Sequence, residues 1–378
     1  MIGRDKYIFL FITKSLIMNT FSILKVSGAA VLTLALSFTS CEKAVEDFQP
    51  IPEAAGTSSA LAPGQTANIY VSSNTTPVMG IFDVTNPASV TSKTINVSNN
   101  DADGISLYPY GDAVFQLNRS SNRMMAYNNI STLPNGATPS PSAMSGSDFT
   151  NGREITFSQG RVVAIQDADP SNGNVNRFLV YRASPYSFNL QKTYDADISL
   201  WGLQAIGEDV YAVQDVSGNL AFYQNFFNKP GNTTISPSWK LTIEGLVRTH
   251  GLQYDVAADI MVLTDVGDAG SATDGAIHVI TNFSQKAAAA LGSGTTGTIA
   301  LNQQIRIAGG NTFLGNPVDV SYDSATNKIY VAERANGGGR VLIFDFPASS
   351  GNPAPVANIT FPGASAIFLN IGNGGSSF

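Results

Sequence analysis

The sequence predicts an all-β chain folded as a six-bladed β-propeller, and three observations carry that expectation. The composition is turn-rich and sparsely charged: of 378 residues, 43% are hydrophobic and 13% charged, with 35 Gly and 18 Pro, as many short strands joined by tight turns require. A strand-like segment recurs at nearly constant spacing. The last apolar segment of the chain lacks a unit of its own, while the first unit lacks a leading strand.

The recurring segment has the pattern apolar, aromatic or apolar, any, apolar. It occurs at Ile69-Tyr70-Val71, Val114 to Leu117, Val162 to Ile165, Val210 to Val213, Ile260 to Leu263 and Ile329 to Ala332, and its second position is spaced by 45, 48, 48, 50 and 69 residues. Five of these segments follow a shorter apolar signal: Gly104-Ile105, Glu154-Ile155, Gly202-Leu203, Gly251-Leu252 and Asp319-Val320. After each comes a turn and a third apolar segment (Met79 to Phe82, Met124 to Tyr127, Phe178 to Tyr181, Leu220 to Tyr223, Ile277 to Ile280, Val341 to Phe344), then, in four units, a more polar fourth one. Four short strands per unit of about 48 residues describe a propeller blade. The final segment, Ala364 to Leu369, is placed as the innermost strand of the first blade, which closes the ring and removes an exposed edge.

The long 69-residue interval reads as an insertion at about Ser284 to Thr298; the alternative, a seventh blade, would need more residues than the excess supplies. The one Ala-rich run, Lys286 to Leu291, is too short for a helix stable in isolation. The units at Asn316 to Asp323, Asn327 to Arg334 and Arg340 to Asp345 together resemble an NHL-type repeat, and the resemblance implies the same propeller fold without fixing a function.

Residues 1–40 read as a signal peptide. A basic segment from Met18, the possible true start, leads into the 13-residue apolar run Val26 to Phe38, too short to span a bilayer. Phe38-Thr39-Ser40-Cys41 resembles a bacterial lipobox with Phe in place of the usual Leu, which implies lipidation of Cys41. Cys41 is the sole cysteine, so an intramolecular disulfide and thiolate zinc clusters are excluded. Residues 41–64, rich in Pro, Ala and Ser, read as a flexible tether, and residues 65–378 as a single propeller domain. Acidic Glu42, Glu46 and Asp47 beside the cysteine resemble the surface-export signal of some Gram-negative lipoproteins. The expected location is the outer membrane, lipid-anchored through Cys41, at the cell surface or the periplasmic face.

The formal charge is −7, and removal of residues 1–40 leaves 17 basic against 27 acidic residues. That sign disfavours nucleic acid. The first positions of the inner strands are expected to form the channel mouth, which gives Asp103, Arg153, Glu154, Trp201, His250 and Asp319 as candidate ligand-binding residues. Arg119, Asp167, Asp169, Asp215, Asp265, Asp268, Glu333 and Arg334 form a second ring on the adjoining turns. Such a lining suits a small polar ligand or a glycan, with Trp201 as a stacking platform. No catalytic residue is assigned: neither a Gly-x-Ser-x-Gly elbow nor a phosphate loop is present.

The leading expectation is a binding module with a protein or glycan partner. The alternative is a metal-dependent hydrolase or lactonase with Ca2+ at the mouth, for which Asp103, Glu154 and Asp319 are the candidate ligands. The Asn ligands of gluconolactonase-like propellers have no counterpart at these positions.

Overall fold

The structure, a computed structural model, describes residues 61–373. The signal peptide, Cys41 and nearly all of the tether lie outside the described residues. The remainder forms six sheets, each antiparallel over its first four strands and each the blade of a six-bladed propeller.

Blade 1 runs outward from the C-terminal strand Ala364–Asn373 through Gln65–Ser73 and Val78–Asp83 to Thr91–Asn96. The first and last described strands therefore pair, with Ile69 opposite Leu369 and Val71 opposite Ile367. Blades 2 to 6 start at the axis with Ala102–Leu107, Gly152–Ser158, Leu200–Ile206, Thr249–Asp255 and Pro317–Asp323. Their second strands, Ala113–Asn118, Arg161–Gln166, Asp209–Gln214, Ile260–Asp265 and Lys328–Glu333, contain the repeat that the sequence reveals.

These second strands are buried on both faces, which is why they read as continuous apolar runs and not as a strict alternation. Their successive side chains feed two different cores. Val114 packs with blade 1 residues such as Met79 and Ile81, while Phe115 packs with blade 3 residues such as Val162 and Leu179. An aliphatic and aromatic core of this kind lies between every pair of consecutive blades, including blades 6 and 1.

The expected insertion is present as the helix Phe283–Leu291 and the strand Thr296–Ile299. The helix forms because Phe283 and Ala287 are buried against the blade 4 and 5 core, so packing supplies what its length cannot. The added strand pairs in parallel with Trp239–Ile243, the outer strand of blade 4. Similarly, Thr233–Ile235 pairs in parallel with Ser187–Ala196, the outer strand of blade 3. Both additions cover sheet edges that would otherwise be open.

Candidate functional site

One device repeated six times builds the channel mouth. Each inner strand carries a β-bulge near its start, where the register slips by one residue: between Ala102 and Ile105, Gly152 and Ile155, Leu200 and Leu203, Thr249 and Leu252, Pro317 and Asp319, and opposite Ser72 and Ser73 in blade 1. A bulge bends the strand and re-aims a side chain. The residues re-aimed here are Ser365, Asp103, Arg153, Trp201, His250 and Val318, one per blade, and all six line a single cavity of about 220 Å3.

Two residues before each of these, a backbone carbonyl accepts from the turn that follows the second strand of the same blade. Asn74, Arg119, Asp167, Asp215, Val266 and Arg334 donate their N–H groups to Gly363, Asp101, Asn151, Ser199, Arg248 and Asn316, at 2.8–3.3 Å. The mouth therefore has three equivalent positions per blade. The last residue of the second strand fixes the loops. Buried Glu333, for example, accepts from the backbone amides of Gly315, Asn316, Ala335 and Asn336 at 2.9–3.0 Å.

The polar side chains at the mouth are largely paired. Arg153 binds Asp167 at 2.9 Å, Arg248 binds Asp215 at 2.9 Å, and Arg119 is paired with Asp101. Arg334 also lines the cavity and makes no salt bridge among the described residues. With the Asn74 amide turned so that its oxygen faces Arg334, that oxygen accepts from Arg334 Nε at 2.8 Å. Burial alone would push the Asp215 carboxyl up, but hydrogen bonds from His250 and Arg248 hold it down to about 2. Burial pushes the His250 imidazole down to about 4, so the ring is neutral at physiological pH. Asp103 is driven up to about 6 by burial, against the pull of Arg119 and Arg153.

Trp201 is flanked. His250 stacks on the indole with centroids 3.7 Å apart and planes 6° off parallel, and the Arg153 guanidinium lies 3.9 Å from the ring centre. Because Arg153 belongs to blade 3 and His250 to blade 5, the indole of blade 4 is sandwiched between them. Trp201 is thus a pillar of the mouth with an edge toward the cavity, and the expectation of an open stacking platform is corrected.

The structure also divides the candidate residues. Asp103, Arg153, Trp201 and His250 line the mouth, whereas Glu154 and Asp319 line a second cavity of about 310 Å3 toward the far ends of the inner strands. The physical reason is register: Glu154 and Asp319 stand one residue beyond the re-aimed position, where the side chain leaves in the other direction. At that position blades 2, 4 and 5 carry Gly104, Gly202 and Gly251, and a Cβ on Gly202 would collide with the His250 carbonyl oxygen. Asp319 accepts from the Val320 amide at 2.8 Å and the Ile367 amide at 2.7 Å, and Glu154 accepts from the Ile155 amide at 2.8 Å.

Burial pushes the Asp319 carboxyl up to about 7 and, with the nearby Asp319 charge, drives Glu154 well above the usual carboxylate range. Among the described residues no three His, Cys, Asp or Glu side chains converge as a metal site, so the structure does not bring Asp103, Glu154 and Asp319 together as calcium ligands.

Of the second ring, Arg119 and Arg334 line the cavity, while Asp167 and Asp215 hold its arginines from behind. Asp169 instead caps a short turn by accepting from the Ser171 amide. Asp265 accepts from the amides of Val247, Arg248 and Gly267, and Asp268 is tied to Asp274 through its own amide. Arg248, Asn316 and Asn74 also line the mouth without having been expected there. For Arg248 a signal exists in the alternation Arg248-Thr249-His250, which sends both side chains to the same side of a strand.

No protein-family model matches the chain, and no curated protein matches it. Solved structures do. The chain is similar in fold to a chain of the crystal structure of a nidogen/laminin complex. The likeness has a TM-score of 0.50 at 9% sequence identity and covers 80% of this chain and 98% of the other. At that identity it speaks for the propeller alone.

Proposed function

We propose that the protein is a lipid-anchored binding module of the cell envelope, held at the outer membrane through Cys41, whose propeller mouth recognises a small polar ligand, free or as part of a glycan. The observation that carries this reading is the convergence of side chains from all six blades on one polar cavity of about 220 Å3. Pre-formed cavities with a few fixed polar groups are the usual form of a small-ligand site. Three of the four arginines are held by their own carboxylates, so the lining is rigid before any ligand arrives. A protein segment is a further form of ligand under this reading. The hydrolase alternative draws no support from the arrangement of the carboxylates.

The test is a saturation-transfer NMR screen of mono- and oligosaccharides against the full chain, repeated with Arg153→Gln and Arg248→Gln. Ligands of the mouth are expected to lose their signal in both variants; a hit that binds both as well as wild type places the site elsewhere. For the anchor, labelled palmitate is expected to enter the wild-type protein in cells and not Cys41→Ser. Equal labelling of the two removes the lipoprotein assignment.

A further inference from the structure

We infer that the ligand of the mouth carries a carboxylate, received by the uncommitted fork of Arg334, on a hydroxylated body no larger than a monosaccharide; the inference rests on the mouth being the binding site. Arg334 is the one arginine of the lining without a salt bridge among the described residues. Its backbone is fixed all the same, with the amide bonded to the Asn316 carbonyl at 3.0 Å, and with the Asn74 amide turned its Nε donates to the Asn74 oxygen at 2.8 Å. With Nε engaged, the two terminal nitrogens remain as a planar donor pair, the geometry that receives a carboxylate through two parallel hydrogen bonds.

The charge balance selects the class of anion. Arg119, Arg153 and Arg248 are held by Asp101, Asp167 and Asp215, and Asp103, paired with Arg119 at 3.7 Å, adds a further carboxylate to the lining. Four guanidinium groups therefore face four carboxylates, and the one fork without a salt bridge is left to take an anion of a single charge, whereas a phosphate dianion would need a second uncommitted cation.

The rest of the ligand is read from two atoms that lack partners. Asn316 and His250 both line the cavity, and Asn316 Oδ1 and His250 Nδ1 are each buried without a hydrogen bond. His250 Nε2 is engaged on its own side by the Asp215 carboxylate at 3.2 Å and by Arg248 Nε at 3.1 Å, so Nδ1 is the ring nitrogen left for a ligand. An orphaned amide oxygen and an orphaned ring nitrogen both call for partners, and hydroxyl groups, which donate and accept, satisfy either. A volume of about 220 Å3 lies below the roughly 300–1,000 Å3 of pockets that enclose drug-sized ligands, which limits the body to about one sugar ring.

The experiment is isothermal titration of the full chain with D-glucuronate, with D-glucose, which lacks the carboxylate, and with N-acetylglutamate, which mimics an acidic side chain of a partner protein. Glucuronate is expected to bind at least about tenfold more tightly than either, and Arg334→Gln to weaken it by at least about tenfold with the melting temperature unchanged. Equal affinity for glucose and glucuronate overturns the carboxylate while leaving the mouth as the site. N-acetylglutamate binding more tightly than glucuronate overturns the hydroxylated body in favour of a protein side chain. Glucuronate binding that survives Arg334→Gln but not Arg153→Gln moves the anion to another part of the mouth. Binding that survives both removes the mouth itself, and no binding of either acid overturns the inference.

Discussion

The two ends of the axial channel are built from adjacent residues of the same six strands, yet they solve the problem of buried charge in opposite ways. At the mouth, carboxylates face guanidinium groups: Asp167 with Arg153, Asp215 with Arg248, Asp101 with Arg119. At the far end, Glu154 and Asp319 face backbone amides and have no cation partner among the described residues. A charge paired by a side chain can be re-paired by a ligand, whereas a carboxylate bonded to the amides of its own and the neighbouring inner strand holds the scaffold together. Under the proposed function, the difference is that the mouth is arranged for recognition and the far end for closing the ring. Asp319 of blade 6 accepts from Ile367 of blade 1, across the join where the chain ends meet.

The largest effect that would break this comparison is expected from Gly202→Ala. Its Cβ would overlap the His250 carbonyl oxygen, backbone that cannot yield without shifting blade 5. A loss of about 3 kcal/mol or more is expected in urea unfolding. Gly310→Ala, whose Cβ would meet nothing within 4 Å, is the control and should stay within about 0.5 kcal/mol. A well-tolerated Gly202→Ala would mean that the inner strands are not as closely apposed as described.

Next in size is Asp319→Ala, which leaves the Ile367 amide without its acceptor at the ring's join. An orphaned buried donor costs about 1–3 kcal/mol. Hydrogen exchange should show the loss concentrated at Ile367 and its blade 1 partner Val71. Uniform loosening of all six blades would argue against a closing role.

The fold was legible because burial on both faces writes itself into sequence. Val114-Phe115-Gln116-Leu117 and its five counterparts are near-continuous apolar runs at a nearly fixed period, and the absence of a leading strand before Asn68 pointed to Ala364 to Leu369 as the closing strand. The parallel additions Thr233–Ile235 and Thr296–Ile299 left no such trace, since exposed outer-edge strands need little apolar content and their partners are distant in sequence. At the site, the inner-strand starts were legible but their register was not. A bulge adds one residue, so Glu154 and Asp319 were read with Arg153 when they belong to the opposite end. Arg334, the second-ring residue on which the proposed ligand's class turns, was visible only as one charged turn residue among several.

The pH dependence of stability should separate the two ends. At the far end, burial raises Asp319 to about 7 and lifts Glu154. A carboxyl with a folded pKa above its free value contributes stability below that free value and loses it as pH rises through the folded one, here between about 4 and 7. At the mouth the sign reverses for the depressed groups. His250, lowered to about 4, and Asp215, held at about 2, contribute above their free values and lose that contribution as pH falls through the folded ones. Asp103, raised to about 6, is the exception at the mouth and moves with the far end. The double variant Glu154→Gln, Asp319→Asn is therefore expected to flatten the decline of melting temperature between pH 5 and 8, and His250→Gln to flatten the decline below pH 6. If the two sets of variants flatten the same limb, the assignment of opposite roles fails.

The smallest expected effect on stability sharpens the comparison most, because it separates two arginines of the same cavity. Arg153→Gln strands the Asp167 carboxylate and uncovers one face of Trp201, so it should cost about 1–3 kcal/mol. Arg334→Gln removes a guanidinium that has no carboxylate to strand, from an exposed side chain whose loop is held by Glu333, so its stability should stay within about 0.5 kcal/mol of wild type. A residue whose removal leaves the fold unmoved while others in the same lining do not is one that the fold does not use. If Arg334→Gln instead destabilises the protein as much as Arg153→Gln, Arg334 belongs to the scaffold, and the mouth has no cation left over for a ligand.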